Sequence, residues 1–268
     1  MDMTVAIGGL GAIGLPLARA LDAGAVAGLR LIAVAAADPE RAAARVGAFR
    51  NPPAIVPPER LAEAAIVVEA APAAVFGAIA IPAIEAGRIL VAASVGALLT
   101  RMELVHRAVA TGARIVVPTG ALLGLDAVRA VAEGVVESVT LETRKPPGGL
   151  AGAPYLRQRG IDLAGLDAPL RVFSGTALDA AAGFPANVNV AAALALAGIG
   201  PVRTLVEIWA DPGVDRNIHT IRVEAEAARF TMRIENVPSA ENPRTGRLTP
   251  LSLLACLRGL VSPLKVGS

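Results

Sequence analysis

The chain opens on a β-branched and apolar run, Thr4-Val5-Ala6-Ile7, that stops at Gly8-Gly9, and apolar residues resume from Leu15 to Leu21 at helical spacing. That pattern predicts a strand, a tight turn and a helix. Residues 29–35 predict a second strand, and Asp38 then serves as N-cap with Pro39 as first residue of a helix. A short buried strand is expected at 66–70, a helix at 72–86 ended by Gly87, and a strand at 89–93. A helix at 101–110, capped by Thr100 and stopped by Gly112, leads to a strand at 115–117. Short apolar strands separated by helices predict a parallel sheet covered on both faces.

Near Gly134 the period changes. Residues 135–143 alternate, with Val135, Val139 and Leu141 on one side, and 202–209 and 230–235 alternate too. In the last run Phe230, Met232 and Ile234 face one way, while Thr231, Arg233 and Glu235 face the other. Such strands pack one face and wet the other, or bury the second against a partner chain. The expected fold class is α/β: a Rossmann-type parallel-sheet domain at 1–119, with 241–268 returning to it, plus an α+β domain with a mixed or antiparallel open sheet at 120–240. A loop and closing helix are expected over 244–259, with Thr249-Pro250 as cap and first residue.

With 268 residues the chain can bury a large core. The stretch 180–202 carries no charge, yet Pro185, Asn187, Asn189, Gly198 and Pro201 interrupt it, which suits a buried helix between loops better than a membrane span. The apolar N-terminal run reads as the first strand and not as a signal peptide. Net charge is +2, and the scattered Lys and Arg residues are not interleaved with aromatics, so no nucleic-acid or membrane partner is expected. The lone Cys256 offers neither an intrachain disulfide nor a metal cluster, consistent with a reducing cytoplasm.

Gly9, Gly11 and Gly14 have G-x-G-x-x-G spacing right after the first strand. In a dinucleotide turn the first glycine allows the bend, the second lets a pyrophosphate approach the backbone, and the third lets helix and strand pack closely. Ala12 and Ile13 lie at the helix N-terminus, whose N–H groups and partial positive charge suit the pyrophosphate. Ser94 and Gly96 follow the strand at 89–93, at the carboxyl edge where parallel sheets bind ligands; helix capping competes as an explanation for Ser94.

Two histidines are available for proton chemistry. His219 shares strand parity with Ile221 and Val223, so it is either an acid/base or a structural histidine at the edge of a packed face. His106 falls on an expected surface helix. Asn187 and Asn189 interrupt an Ala-Val run; Asn187 fits an N-cap, and either could reach a ligand.

Five segments resemble the L-aspartate dehydrogenase family, in order and essentially end to end. They are Thr119-Gly120-Ala121-Leu122-Leu123-Gly124-Leu125-Asp126; Glu142-Thr143-Arg144-Lys145-Pro146-Pro147; Phe184 through Ala191; Asp215-Arg216-Asn217-Ile218-His219-Thr220-Ile221; and Glu235 through Pro243. The resemblance implies a Rossmann domain followed by a catalytic domain whose open sheet mediates oligomerisation, giving a homodimer or larger homo-oligomer. It implies NAD(P)-dependent interconversion of L-aspartate with iminosuccinate, which yields oxaloacetate and ammonia and can feed NAD biosynthesis. By the same resemblance His219 is the acid/base, Asn189, Ala121 and Leu123 bind the cofactor, and no metal is involved. A dicarboxylate substrate asks for fixed cations, for which Arg144 and Lys145 are candidates, with Asn187 and Asn217 as further substrate contacts and Arg216, Arg244 and Arg247 in reserve.

One departure changes the cofactor expectation. The family often ends its second strand in an acidic residue that binds the ribose 2′-hydroxyl, and Ala36 stands there here. A 2′-phosphate then meets less repulsion, and Arg41 could pair with it, so both NAD and NADP are expected to be accepted. The competing readings are a related two-domain reductase of the dihydrodipicolinate or homoserine dehydrogenase type, and a non-catalytic dinucleotide-sensing protein. The Asn217-Ile218-His219 segment argues against the first; the second has little reason to keep His219 with Asn189.

Overall fold

In a computed structural model, which describes residues 2–185, 188–239 and 245–267, the chain separates into two compact units. One comprises Met1–Gly120 with Thr249–Val266; the other comprises Ala121–Leu248 and the last two residues.

The first unit repeats strand and helix: β1 (Met3–Gly8), α1 (Gly14–Asp22), β2 (Leu29–Ala35), α2 (Pro39–Val46), β3 (Ala54–Ile55), β4 (Ile66–Glu69), α3 (Phe76–Glu85), β5 (Ile89–Ala92), α4 (Val95–Leu99), α5 (Glu103–Thr111) and β6 (Arg114–Val116). All strand pairs are parallel, in the order β3-β2-β1-β4-β5-β6. β1 and β4 lie at the centre, and apart from Thr4 and Glu69 they read as apolar runs buried on both faces.

The second unit contains α6 (Leu125–Ala132), β7 (Val136–Lys145), α7 (Pro154–Arg159), β8 (Leu170–Thr176), α8 (Ala177–Gly183), α9 (Asn189–Ala197), β9 (Thr204–Ala210), β10 (Asn217–Ala225) and β11 (Arg229–Asn236). Its sheet runs β11-β10-β7-β9-β8; β7 and β9 are parallel and the other pairs antiparallel. A parallel Rossmann-type sheet followed by a mixed sheet is the expected fold class. The last helix, α10 (Leu248–Val261), places Leu253 and Leu257, one turn apart and wholly buried, in the core of the first unit with Val5, Ile7 and Leu31.

Several local expectations needed correction. The helix expected from Pro72 starts only at Phe76, because residues 73–75 form a tighter 3-10 turn behind Pro72. Thr100 does not cap the following helix: its hydroxyl donates back to the Ala97 carbonyl, 3.0 Å away, at the end of the unforeseen α4, and α5 begins at Glu103. The strand starting at 135 was assigned the wrong inward residue. Val136 is buried and Val135 is 63% exposed, because the β7–β10 register slips between Glu224 and Ala225 and a slip of one residue exchanges the faces. The apolar stretch at 180–202 forms two helices, α8 and α9; Thr176 and Asp179 close a capping box at the start of the first. β8 escaped notice because a register shift between Arg171 and Phe173 breaks its alternation.

Candidate active site

In the first unit the glycine turn leaves β1 at the carboxyl edge of the sheet. Gly9 adopts φ +98°, and a Cβ on it would lie 2.5 Å from the Ala70 carbonyl oxygen. A Cβ on Gly14, the first residue of α1, would lie 1.9 Å from the Gly9 carbonyl oxygen. At Gly11 an added Cβ would meet nothing within 4 Å. Gly9 and Gly14 are thus demanded by the protein's own packing, while Gly11 borders open space at a helix N-terminus that no side chain caps. Residues and shape of this turn fit the pyrophosphate of a dinucleotide.

Asp38 is the N-cap of α2, its carboxylate accepting from Arg41 N at 2.9 Å. Ala36, just past β2, packs half-buried against the core and supplies no carboxylate. The α2 residue Arg45 donates a hydrogen bond to the Leu10 carbonyl, bracing the glycine turn from the side.

Ser94 stands before α4 without capping it; its hydroxyl bonds the buried Glu69 carboxylate at 2.9 Å, so helix capping is not its role. Gly96 is buried within α4. The weight of Glu69 was not read from the sequence: a carboxylate closing a four-residue apolar strand is visible, but its burial at 0% exposure is not.

In the second unit β10 carries His219, only 3% exposed, on the face it shares with Ile221 and Val223. Its register partners are Thr143 on β7 and Ile234 on β11. Thr143 Oγ1 lies 3.0 Å from His219 Nδ1. Burial first, and the positive charge of Lys145 second, push the imidazole pKa down to about 3, so the ring is neutral at physiological pH. Thr143 and Lys145 also line a cavity of about 10 Å³ beneath Ala180, Phe184, Val188 and Ala191, room for roughly one water.

Arg144 and Lys145 cannot form one clamp, because successive strand residues point to opposite faces. Lys145 is buried, 6% exposed, on the His219 side. Arg144 lies on the other side, bound to Glu142 at 2.7 Å and Asp211 at 3.1 Å, its guanidinium 4.7 Å above the Trp209 ring. With two carboxylates already in contact, Arg144 is matched to protein anions rather than to a ligand.

Ala121 and Leu123 are half-buried on either side of the buried Leu122. Asn236, at the end of β11, donates from Nδ2 to the Ala121 carbonyl at 2.9 Å and so fixes this segment. In the sequence Asn236 is one residue of the Glu235–Pro243 segment; its burial, at 4% exposure, and its bond to Ala121 emerge only in the fold. Asn189 is exposed as the first residue of α9, and Asn217 opens β10, half-buried. Asn187 and Arg244 lie outside the described residues. Cys256 is no nucleophile, since burial pushes its thiol to about 11. Among the described residues no three potential ligands form a metal site, and no helix is long and apolar enough to cross a membrane.

An open glycine cradle in a doubly wound unit, followed by an α+β unit that buries a neutral histidine near a lysine, defines a two-domain oxidoreductase using a nicotinamide dinucleotide. Residues 9–118 match the family model for the homoserine dehydrogenase NAD-binding domain, and residues 126–260 match that for the aspartate dehydrogenase C-terminal domain. The chain is 53% identical over its whole length to an L-aspartate dehydrogenase of Bradyrhizobium diazoefficiens, covering 95% of that protein. It is equally similar, 53%, to L-aspartate dehydrogenase 3 of Bordetella bronchiseptica, covering 100% of this chain and 98% of the relative. Among solved structures, the aspartate dehydrogenase of Thermotoga maritima superposes with a TM-score of 0.74 at 26% identity, with both chains fully covered. The chain belongs to the aspartate dehydrogenase family.

Proposed function

We propose that the protein interconverts L-aspartate and iminosuccinate, which hydrolyses to oxaloacetate and ammonia, using NAD or NADP. The observation that carries this reading is His219, a buried neutral imidazole between Thr143 and the charge of Lys145. When bound, the dinucleotide supplies the hydride acceptor or donor.

The chain's own residues have four tasks. Gly11, Ala12 and Ile13 offer backbone to the pyrophosphate, with Ser94 and Gly96 at the next strand end and Ala121, Leu123 and Asn189 as the remaining cofactor contacts. Thr143 holds His219 Nδ1, which leaves Nε2 to exchange protons with the substrate. Burial keeps the ring neutral and makes it a weak base, and a substrate carboxylate beside it would raise its basicity toward the range general-base catalysis needs. Nε2 takes a proton from the substrate nitrogen as the C=N bond forms; once that proton has passed to solvent, Nε2 can take another from the water that adds to the imine carbon. Lys145 is the cation we assign to a substrate carboxylate, with Asn217 beside it in role; Arg144, occupied by Glu142 and Asp211, is withdrawn from that task.

Acceptance of NADP rests on Ala36, which places no carboxylate against a 2′-phosphate, and on the exposed Arg41. We further place the enzyme in the cytoplasm as a homo-oligomer, supported by its single cysteine and by the charged outer face of the second sheet, where Arg144, Trp209 and Arg222 lie. A spectrophotometric assay with oxaloacetate, ammonia and either reduced dinucleotide tests the central reading. Turnover with both cofactors is expected. Dinucleotide binding without turnover would favour a sensing role instead.

A further inference from the structure

Glu69 ends β4 at the carboxyl edge of the first sheet, wholly buried, with Gly8 of β1 opposite it on one side and Ala92 of β5 on the other. In the order β3-β2-β1-β4-β5-β6 the winding reverses between β1 and β4, and doubly wound sheets bind dinucleotides outside the strand ends at that point. The β2 side takes the adenine half and the β4–β5 side the nicotinamide half.

The carboxylate gathers both loops that border the second half. Oε1 accepts from Ala71 N at 3.1 Å and from Ser94 Oγ at 2.9 Å, and Oε2 accepts from Ser94 N at 2.8 Å. Ser94 Oγ is also 3.1 Å from the Ala71 carbonyl oxygen, so its single proton is shared between Glu69 and the loop after β4. Among the described residues no Lys, Arg or His pairs with this carboxylate, and burial pushes its pKa up. An apolar residue would leave the Ala71 and Ser94 N–H groups without their acceptor, so the carboxylate is what holds these two loops in place. The glycine turn rests on the same loop: the Ala70 carbonyl is what a Cβ on Gly9 would strike.

We infer that Glu69 is a positioning residue for the cofactor, setting the loops at Ala71 and Ser94 that receive the nicotinamide half. The inference rests on the dehydrogenase reading above. It makes a distinction that general loosening does not: the nicotinamide half should lose its seat while the adenine half keeps its own.

The test compares Glu69→Gln with wild type by calorimetric titration with NADH and with ADP-ribose, which lacks nicotinamide. Thermal midpoints are taken without ligand. The amide turns one acceptor oxygen into a donor that faces an N–H, so the Kd for NADH should rise at least tenfold while that for ADP-ribose stays within twofold. Equal weakening of both ligands, or an unchanged NADH Kd, overturns the inference. If Glu69→Gln does not fold, Ser94→Ala, which deletes only the hydroxyl bond, should still raise the ratio of NADH to ADP-ribose Kd at least threefold; an unchanged ratio overturns it. A wild-type protein that binds neither ligand would sink the dehydrogenase reading itself, a separate result.

Discussion

Replacing Gly11 with alanine should leave the fold intact and remove dinucleotide binding. A Cβ there meets no protein atom within 4 Å, and Gly11 is not among the glycines held at positive φ. Where the backbone tolerates it, Gly→Ala stabilises by about 0.4–1 kcal/mol through the unfolded chain. At roughly 2–4 °C per kcal/mol for a chain of this size, the melting midpoint should hold or rise by a few degrees. The methyl group would instead occupy the space a pyrophosphate needs. Hydrogen bonds to a charged group contribute about 1.5–3 kcal/mol each, so losing two weakens binding by about 3–6 kcal/mol. At about 1.4 kcal/mol per tenfold, the Kd should rise at least a hundredfold. Gly14→Ala gives the opposite profile, since its Cβ would lie 1.9 Å from the Gly9 carbonyl oxygen and the turn itself must move. Calorimetric titration with NADH and thermal unfolding without it read both quantities. A Gly11→Ala protein of normal midpoint that binds NADH within threefold of wild type would refute the assignment of this turn.

Four other expectations follow from three named side chains. His219→Ala should lower kcat by roughly a hundredfold or more with the NADH Kd nearly unchanged, and near-normal turnover would remove His219 from the mechanism. Its titration also sets an acid slope. The folded pKa of about 3 lies below the unfolded value near 6.5, so between those limits the unfolded chain binds more protons and stability falls as pH falls. The loss approaches about 1.4 kcal/mol per pH unit, and denaturant titrations of His219→Leu across that window should show a shallower slope; an identical slope refutes the burial argument. Ala36→Asp should lower kcat/KM with NADPH at least tenfold while sparing NADH, and equal effects would show that this position does not face the ribose. Leu257→Ala should destabilise the protein by about 2–5 kcal/mol in chemical denaturation, because a wholly buried side chain leaves a cavity; a loss under about 1 kcal/mol would mean α10 does not close this core.

What was legible in the sequence depended on whether the signal was local. The glycine turn, the Asp38 cap and the parallel strands follow from short-range rules, in which a side chain or its absence acts within a few residues. The neutral state of His219 and the role of Glu69 do not. Each depends on burial by segments far away in the chain: Thr143 is 76 residues from His219, and Ser94 is 25 from Glu69. Asn236 is the extreme case, holding Ala121 across 115 residues. A motif can mark such a residue, but only the fold supplies its partner.

At the end of β7 the fold separates two residues that are neighbours in the sequence. Arg144 and Lys145 are adjacent, so a search for cations to hold a dicarboxylate takes them as a pair. A strand turns adjacency into opposition, and the partners on each face then decide what each cation does. On one face Arg144 meets Glu142 and Asp211 and stacks on Trp209, which neutralises and desolvates it. On the other, Lys145 lies with Thr143 among Leu141, Ala180 and Phe184, and its charge reaches His219 strongly enough to disfavour a second positive charge there. A dicarboxylate entering that side would meet a lysine whose field is little screened by water and a histidine kept neutral chiefly by burial, with the lysine's charge adding to it. If Lys145 and His219 act as proposed, the cation and the neutral imidazole would both stand on a single face of β7 and β10.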